Sequence, residues 1–156
     1  MRAKISAYCI LLLFSFSIFA EENSVQEGKE MKAEGSFEIK LEPANDTVAP
    51  AGRMIINKSY TGNMVGTGTG QMLSKRAESG VAVYSAIEEF VGSIGDKSGS
   101  FTLSHYGLMS KGSQELTIKI IPGSGSGDLA SITGSLQINQ NQGKHSYILT
   151  YKLESE

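Results

Sequence analysis

Apolar residues recur at every second position in this chain and then break off at short polar or glycine-rich links. Phe37, Ile39 and Leu41 alternate with Glu38, Lys40 and Glu42. At the other end Tyr147, Leu149, Tyr151 and Leu153 alternate with Ser146, Ile148, Thr150 and Lys152. A period of two is the signature of a strand with one face buried. Similar segments occupy 54–60, 64–73, 80–91, 99–109, 115–121 and 132–138, divided by PANDTVAPAG, SIGDKSG, SKGS, PGSGSGD and NQNQG. No segment keeps a helical period, and the 3 prolines fall in links or at strand ends. Eight strands joined mostly by short links predict an all-β chain, closed into an eight-stranded antiparallel up-and-down β-barrel, which removes exposed edges. A two-sheet sandwich is the alternative. The 18 glycines favour the barrel, because tight coiling needs residues without a Cβ at bends.

The N-terminus has a different character. Arg2 and Lys4 precede the apolar run Ile10–Phe19, and the small residue Ala20 is followed at once by charge. That is the layout of a secretory signal peptide over residues 1–20, too short for a comfortable membrane span. An uncleaved anchor is the rival, since Ile18 fits the cleavage rule poorly. Cys9 precedes the apolar run, so it is not placed for lipid attachment. The mature chain is expected to be periplasmic or secreted, without stable membrane insertion.

From Glu21 onward there is no cysteine, which excludes a thiol nucleophile, a cysteine metal site and a disulfide framework. Without Arg2 and Lys4 the chain carries 12 Lys+Arg against 16 Asp+Glu, a net charge of −4. No basic cluster is present, so nucleic acid is not an expected partner. Residues 21–32 are polar and aperiodic and read as a flexible lead-in to a single domain at 33–156.

Two glycine runs, GTGTG at 66–70 and GSGSG at 123–127, invite a nucleotide reading. A dinucleotide fingerprint requires a helix after the turn, and a phosphate loop requires Gly-Lys-Ser/Thr. QMLSKR after the first run reads as strand. DLASITGSLQI after the second allows one helical turn at most, and no lysine lies within 123–134. The runs are therefore read as architecture, and no cofactor is expected.

The segments GRMIINKSYTGNMVGTGTGQML, GVAVYSAIEEFVGSIGDKSGSFTLSHYGLM, LTIKIIPGSGSGDLASITGSLQI and GKHSYILTYKL, taken in order, resemble a bacterial family of unknown function, the domain of unknown function numbered 3224. The likeness spans residues 33–153. It implies the allene oxide cyclase-like barrel shared with dirigent proteins, whose glycine-rich hairpin is similar to GSGSGDLASITG. Members of that barrel class often associate, so the resemblance also implies a possible homo-oligomer. It implies no established activity.

Strand parity then selects candidate interior residues. Tyr84, Ala86, Glu88 and Phe90 share one face, as do Phe101, Leu103 and His105. A hairpin through SIGDKSG that pairs Phe90 with Phe101 makes Glu88 and His105 diagonal neighbours, within about 7–8 Å at the backbone. Lys58 lies between Ile56 and Tyr60 on an equally apolar face, and Tyr147 shares the face of Leu149. Charges enter a small core only with partners, because desolvation costs several kcal/mol per ion. Two roles follow. Glu88 and His105 form a candidate catalytic acid–base pair, with Lys58, Tyr84 and Tyr147 as ligand contacts. Alternatively these groups are a satisfied structural network.

Other residues carry weaker signals. Glu89 has the outward parity, Arg53 opens a strand, and His145 adjoins a turn and reads as a surface residue. Two histidines on separate strands make a poor metal site, so no metal is expected. The expected functions, in order, are a binder of a small apolar or amphipathic molecule, a cofactor-free isomerase or cyclase acting on such a molecule, and a filled scaffold.

Overall fold

In the computed structural model, which describes residues 28–45 and 50–154, the chain is a closed barrel with strand order β1-β2-β3-β4-β5-β6-β7-β8. The strands are β1 Met31–Pro43, β2 Gly52–Gly62, β3 Met64–Arg76, β4 Ala82–Ile94, β5 Lys97–Ser110, β6 Ser113–Ile120, β7 Ile132–Asn141 and β8 Lys144–Leu153. Every neighbouring pair is antiparallel, and β1 closes on β8. Closure rules out the two-sheet alternative. The leader at 1–20 and the lead-in up to residue 27 lie outside the described residues.

One boundary differs from the sequence reading. β1 begins at Met31, so the last two residues of the expected lead-in belong to the barrel, where Met31 pairs with Tyr151 and Lys32 with Thr150. The polar letters around Met31 hide its role, because the partner that orders it lies at the far end of the chain. Only ring closure brings that partner alongside.

The two ends of the barrel are built differently. At one end the β6–β7 link folds into a short 3-10 turn, Gly127–Leu129, and Leu129 is fully buried as a plug. The GSGSGD run reaches this end beside β5. Ser124 Oγ accepts from the Thr102 amide at 3.0 Å, Ser126 Oγ from the Ser100 amide at 3.0 Å, and Asp128 Oδ2 from the Ser98 amide at 3.0 Å. Acceptors at every second residue thus meet alternate amides of β5, standing in for a paired strand. An intervening glycine lets the link approach β5: a Cβ on Gly127 would lie 2.6 Å from the Ser98 carbonyl oxygen.

This closed half holds the core. Tyr60 packs edge-on against Phe90 at 5.5 Å and Tyr147 at 5.5 Å, and Phe90 lies 5.0 Å from Phe101. Met64, Leu103, Ile132 and Leu149 fill the remainder and are all buried. The opposite end is loosely built. Among the described residues β6 and β7 share a single bridging pair, Lys119–Ser135, and toward that end Gln114 and Leu116 of β6 face Gln137–Gln140 of β7 across a cleft.

Candidate functional site

The hairpin register predicted from sequence is present. Phe90 pairs with Phe101, Glu88 with Leu103 and Ala86 with His105, so Glu88 and His105 are diagonal neighbours on the inner face. The turn between the strands is Gly95–Asp96, where Gly95 has φ +59° and supplies the left-handed conformation a tight turn requires. His105 Nε2 lies 3.1 Å from Glu88 Oε2. The geometry of this contact is not that of a hydrogen bond, and the sealed Nε2 has no hydrogen-bond partner.

Lys58 approaches the same carboxylate from β2. Its Nζ donates to Glu88 Oε2 at 2.6 Å and to the Tyr60 hydroxyl at 3.3 Å, and Tyr60 in turn donates to Glu88 Oε1 at 2.7 Å. The Phe37 ring caps the ammonium, with Nζ 4.8 Å from its centroid. Both charges are almost wholly sealed, at 3% and 0% side-chain exposure for Lys58 and Glu88. The lysine does not carry its charge out to water, because three groups hold it inside.

β2 and β4 are not neighbours, since β3 runs between them. The contact passes over Gly68, whose added Cβ would stand 2.1 Å from Glu88 Oε1. On β3, Gly66, Gly68 and Gly70 occupy the inward positions opposite β4. The GTGTG run is thus a bare stripe on the barrel wall, across which two strands exchange charge.

Burial alone would raise the Glu88 carboxyl. The adjacent His105 ring and the charge and hydrogen bond of Lys58 outweigh it and hold the group at about 2, against an ordinary 4.5. Burial, then the nearby Glu88 charge, keeps the Tyr60 phenol protonated far above its usual range, which suits its role as donor. A carboxyl lowered on folding stabilises the protein above its unfolded value and loses that effect as pH falls toward the folded one. We therefore expect urea midpoints to decline between about pH 5 and pH 2, with about 3 kcal/mol attributable to Glu88. In Glu88→Gln that component of the acid decline should be missing.

Beyond this network the barrel is open. A cavity of about 360 Å³ runs from the Lys58–His105 floor to the loosely built end. Its walls include Ile39, Ile56, Met72, Met109, Leu116 and Ile138, and Tyr84 stands near the rim. Gln114, Leu116, Ile138 and His145 border both this cavity and the β6–β7 cleft, so the space also opens sideways.

The candidate residues from sequence divide accordingly. Lys58, Tyr84 and His105 line the cavity. Glu88 sits behind the floor, fully buried and held by the other three network members. Tyr147 lies in the filled half, where its hydroxyl accepts from the Met64 amide at 2.8 Å and donates to the Thr61 carbonyl at 3.1 Å. Glu89 faces outward and is exposed. Arg53 donates to Gln71 Oε1 at 2.9 Å on the exposed side. His145, read as a surface residue, stacks on Phe37 at 5.1 Å and borders the cavity.

Sequence reasoning left Tyr60 and Gly68 out of the site. A signal for both was present: Tyr60 shares the face of Lys58, and glycines at every second position of a strand mark a stripe that something else must cover.

The comparisons agree with this architecture. The family model described as "Protein of unknown function (DUF3224)" matches residues 33–151. A solved structure of a DUF3224 protein of unknown function from Shewanella oneidensis MR-1 is 34% identical, covering 82% of this chain and 100% of its own, with a TM-score of 0.76. No curated protein matches the chain. With its sequence matched across the barrel and its fold shared with that structure, the chain belongs to the DUF3224 family.

Proposed function

We propose that the protein is an exported barrel that binds one small apolar or amphipathic molecule in its open half. The observation that carries this reading is the unequal filling of the interior. Eight strands of 8 to 14 residues enclose a core packed with aromatics at one end and a cavity of about 360 Å³ at the other. Ligand pockets are mostly apolar clefts with a few placed polar groups, and this volume falls within their range of about 300–1,000 Å³. Export rests on the leader-like layout of residues 1–20.

A cyclase would need a base that reaches its substrate. Glu88 is fully buried, with Lys58 on one oxygen and Tyr60 on the other, so its geometry favours holding over proton abstraction. The test is native mass spectrometry of protein purified from its own host. A bound species of defined mass, released by organic solvent, is the expected result. Ligand-free spectra, together with failure to bind the neutral dye N-phenyl-1-naphthylamine, would refute the proposal.

A further inference from the structure

We infer that the cavity selects a neutral molecule bearing an acceptor oxygen at its inner end, a ketone, aldehyde or ester carbonyl, over a carboxylate or an amine of equal length. This rests on the binding reading above and adds the chemistry of the floor. Three observations carry it.

The first is donor supply. A lysine ammonium has three N–H groups. Lys58 spends one on Glu88 and one on Tyr60, and its side chain lines the cavity. His105 lines it too, with its Nε2 sealed from the cavity and facing Glu88 Oε2 at 3.1 Å, so the third Lys58 N–H is the donor left without an oxygen acceptor. The floor is therefore short of acceptors.

The second is charge. The Lys58 ammonium already has the Glu88 carboxylate at 2.6 Å, and Tyr60 is a neutral phenol, so the charge of the lysine is matched within the floor itself. A carboxylate placed there would lose its water and meet a cation whose charge is already matched, with Glu88 close behind it. An amine would bring donors to a site that lacks acceptors. A carbonyl loses little on leaving water and gains a charge-assisted hydrogen bond.

The third is the wall. Above the floor Ile39, Ile56, Met72, Ala86 and Leu116 offer no polar side-chain partner, and the polar lining residues Ser74, Lys75, Arg76, Tyr84 and Gln114 stand on the strand ends at the rim, so one oxygen at the inner tip is the pattern the deep part of the cavity matches.

The experiment is displacement of N-phenyl-1-naphthylamine from the full chain by four eight-carbon competitors: octan-2-one, octane, octanoate and octylamine. Octan-2-one is expected to bind about tenfold tighter than octane, with both ionic chains weaker than the ketone. In the double variant Lys58→Met with Glu88→Gln, which removes both charges together, that ketone advantage should vanish. Equal affinity for ketone and octane, octanoate as the tightest competitor, or an undiminished ketone preference in the double variant would each overturn the inference while leaving a binding barrel intact. If neither the dye nor any competitor binds, the binding reading falls and the inference with it.

Discussion

Glu88→Gln is expected to lower the unfolding free energy by about 3–5 kcal/mol at neutral pH, a large share of what a domain of this size possesses. The glutamine is close to isosteric and can still accept from Tyr60, so the loss comes from charge. Lys58 would remain buried at 3% side-chain exposure, without its counter-ion at 2.6 Å. Breaking a buried pair by removing one partner costs far more than the pair's net contribution, because the survivor keeps its desolvation penalty. Lys58→Met should be destabilising for the mirror reason, leaving Glu88 charged and sealed. The double variant should recover to within about 1 kcal/mol of the wild type, or exceed it. Urea denaturation at pH 7 gives the values directly, with changes in midpoint at constant slope marking a stability effect. Single losses below about 1 kcal/mol would show that Lys58 reaches water and that the sealed network is wrong.

Gly68→Ala should be destabilising by about 2–4 kcal/mol, against the usual trend in which glycine within a strand is the weaker residue by roughly 0.5–1 kcal/mol. The new Cβ would stand 2.1 Å from Glu88 Oε1 and 3.0 Å from Tyr60 Cε2. Neither neighbour has an exit. Glu88 is held by Lys58 and Tyr60, and Tyr60 is wedged among Phe90, Tyr147 and Phe37. Gly107→Ala is the informative contrast. Its Cβ would also stand 2.1 Å from a side chain, the Tyr84 ring, but that ring is only half-buried and adjoins the open end. Tyr84 can swing outward, so a cost under about 1 kcal/mol is expected. Equal costs at the two glycines would refute the account of Gly68 as the gap through which β2 and β4 meet.

The Glu88–His105 contact was legible in advance because it is a hairpin property. Strand parity, one tight turn and the pairing of Phe90 with Phe101 bring the two together without reference to any other strand. The Lys58–Glu88 pair was legible only in part. Both residues carry inward parity, but β2 and β4 are separated by a full strand, and nothing in either segment names the other. The link is Gly68, in a run whose sequence reading ended once nucleotide binding was rejected. Tyr147 had the same inward parity as Lys58 and lies elsewhere, because parity gives a side chain's face and says nothing of its depth along the barrel.

The sequence by itself determined the number of strands, the face each side chain takes and the antiparallel order, since these follow from the period of two and from short links; the glycines and the family resemblance favoured a barrel over a sandwich, and closure of β1 on β8 decided it. The serines and Asp128 of the GSGSGD run, read from sequence only as a link, meet alternate amides of β5 that lie 22 to 30 residues away, a match that the fold alone reveals. The tertiary structure alone decided which half of the barrel is filled, that β1 begins at Met31, and that Lys58, Tyr60, Glu88 and His105 form one network at the boundary of the filled half. The reason is physical. Whether a cross-section is full depends on side-chain volumes summed over all eight strands. Whether a buried charge is tolerated depends on a partner that can lie two strands away, and both become defined only once the sheet has closed.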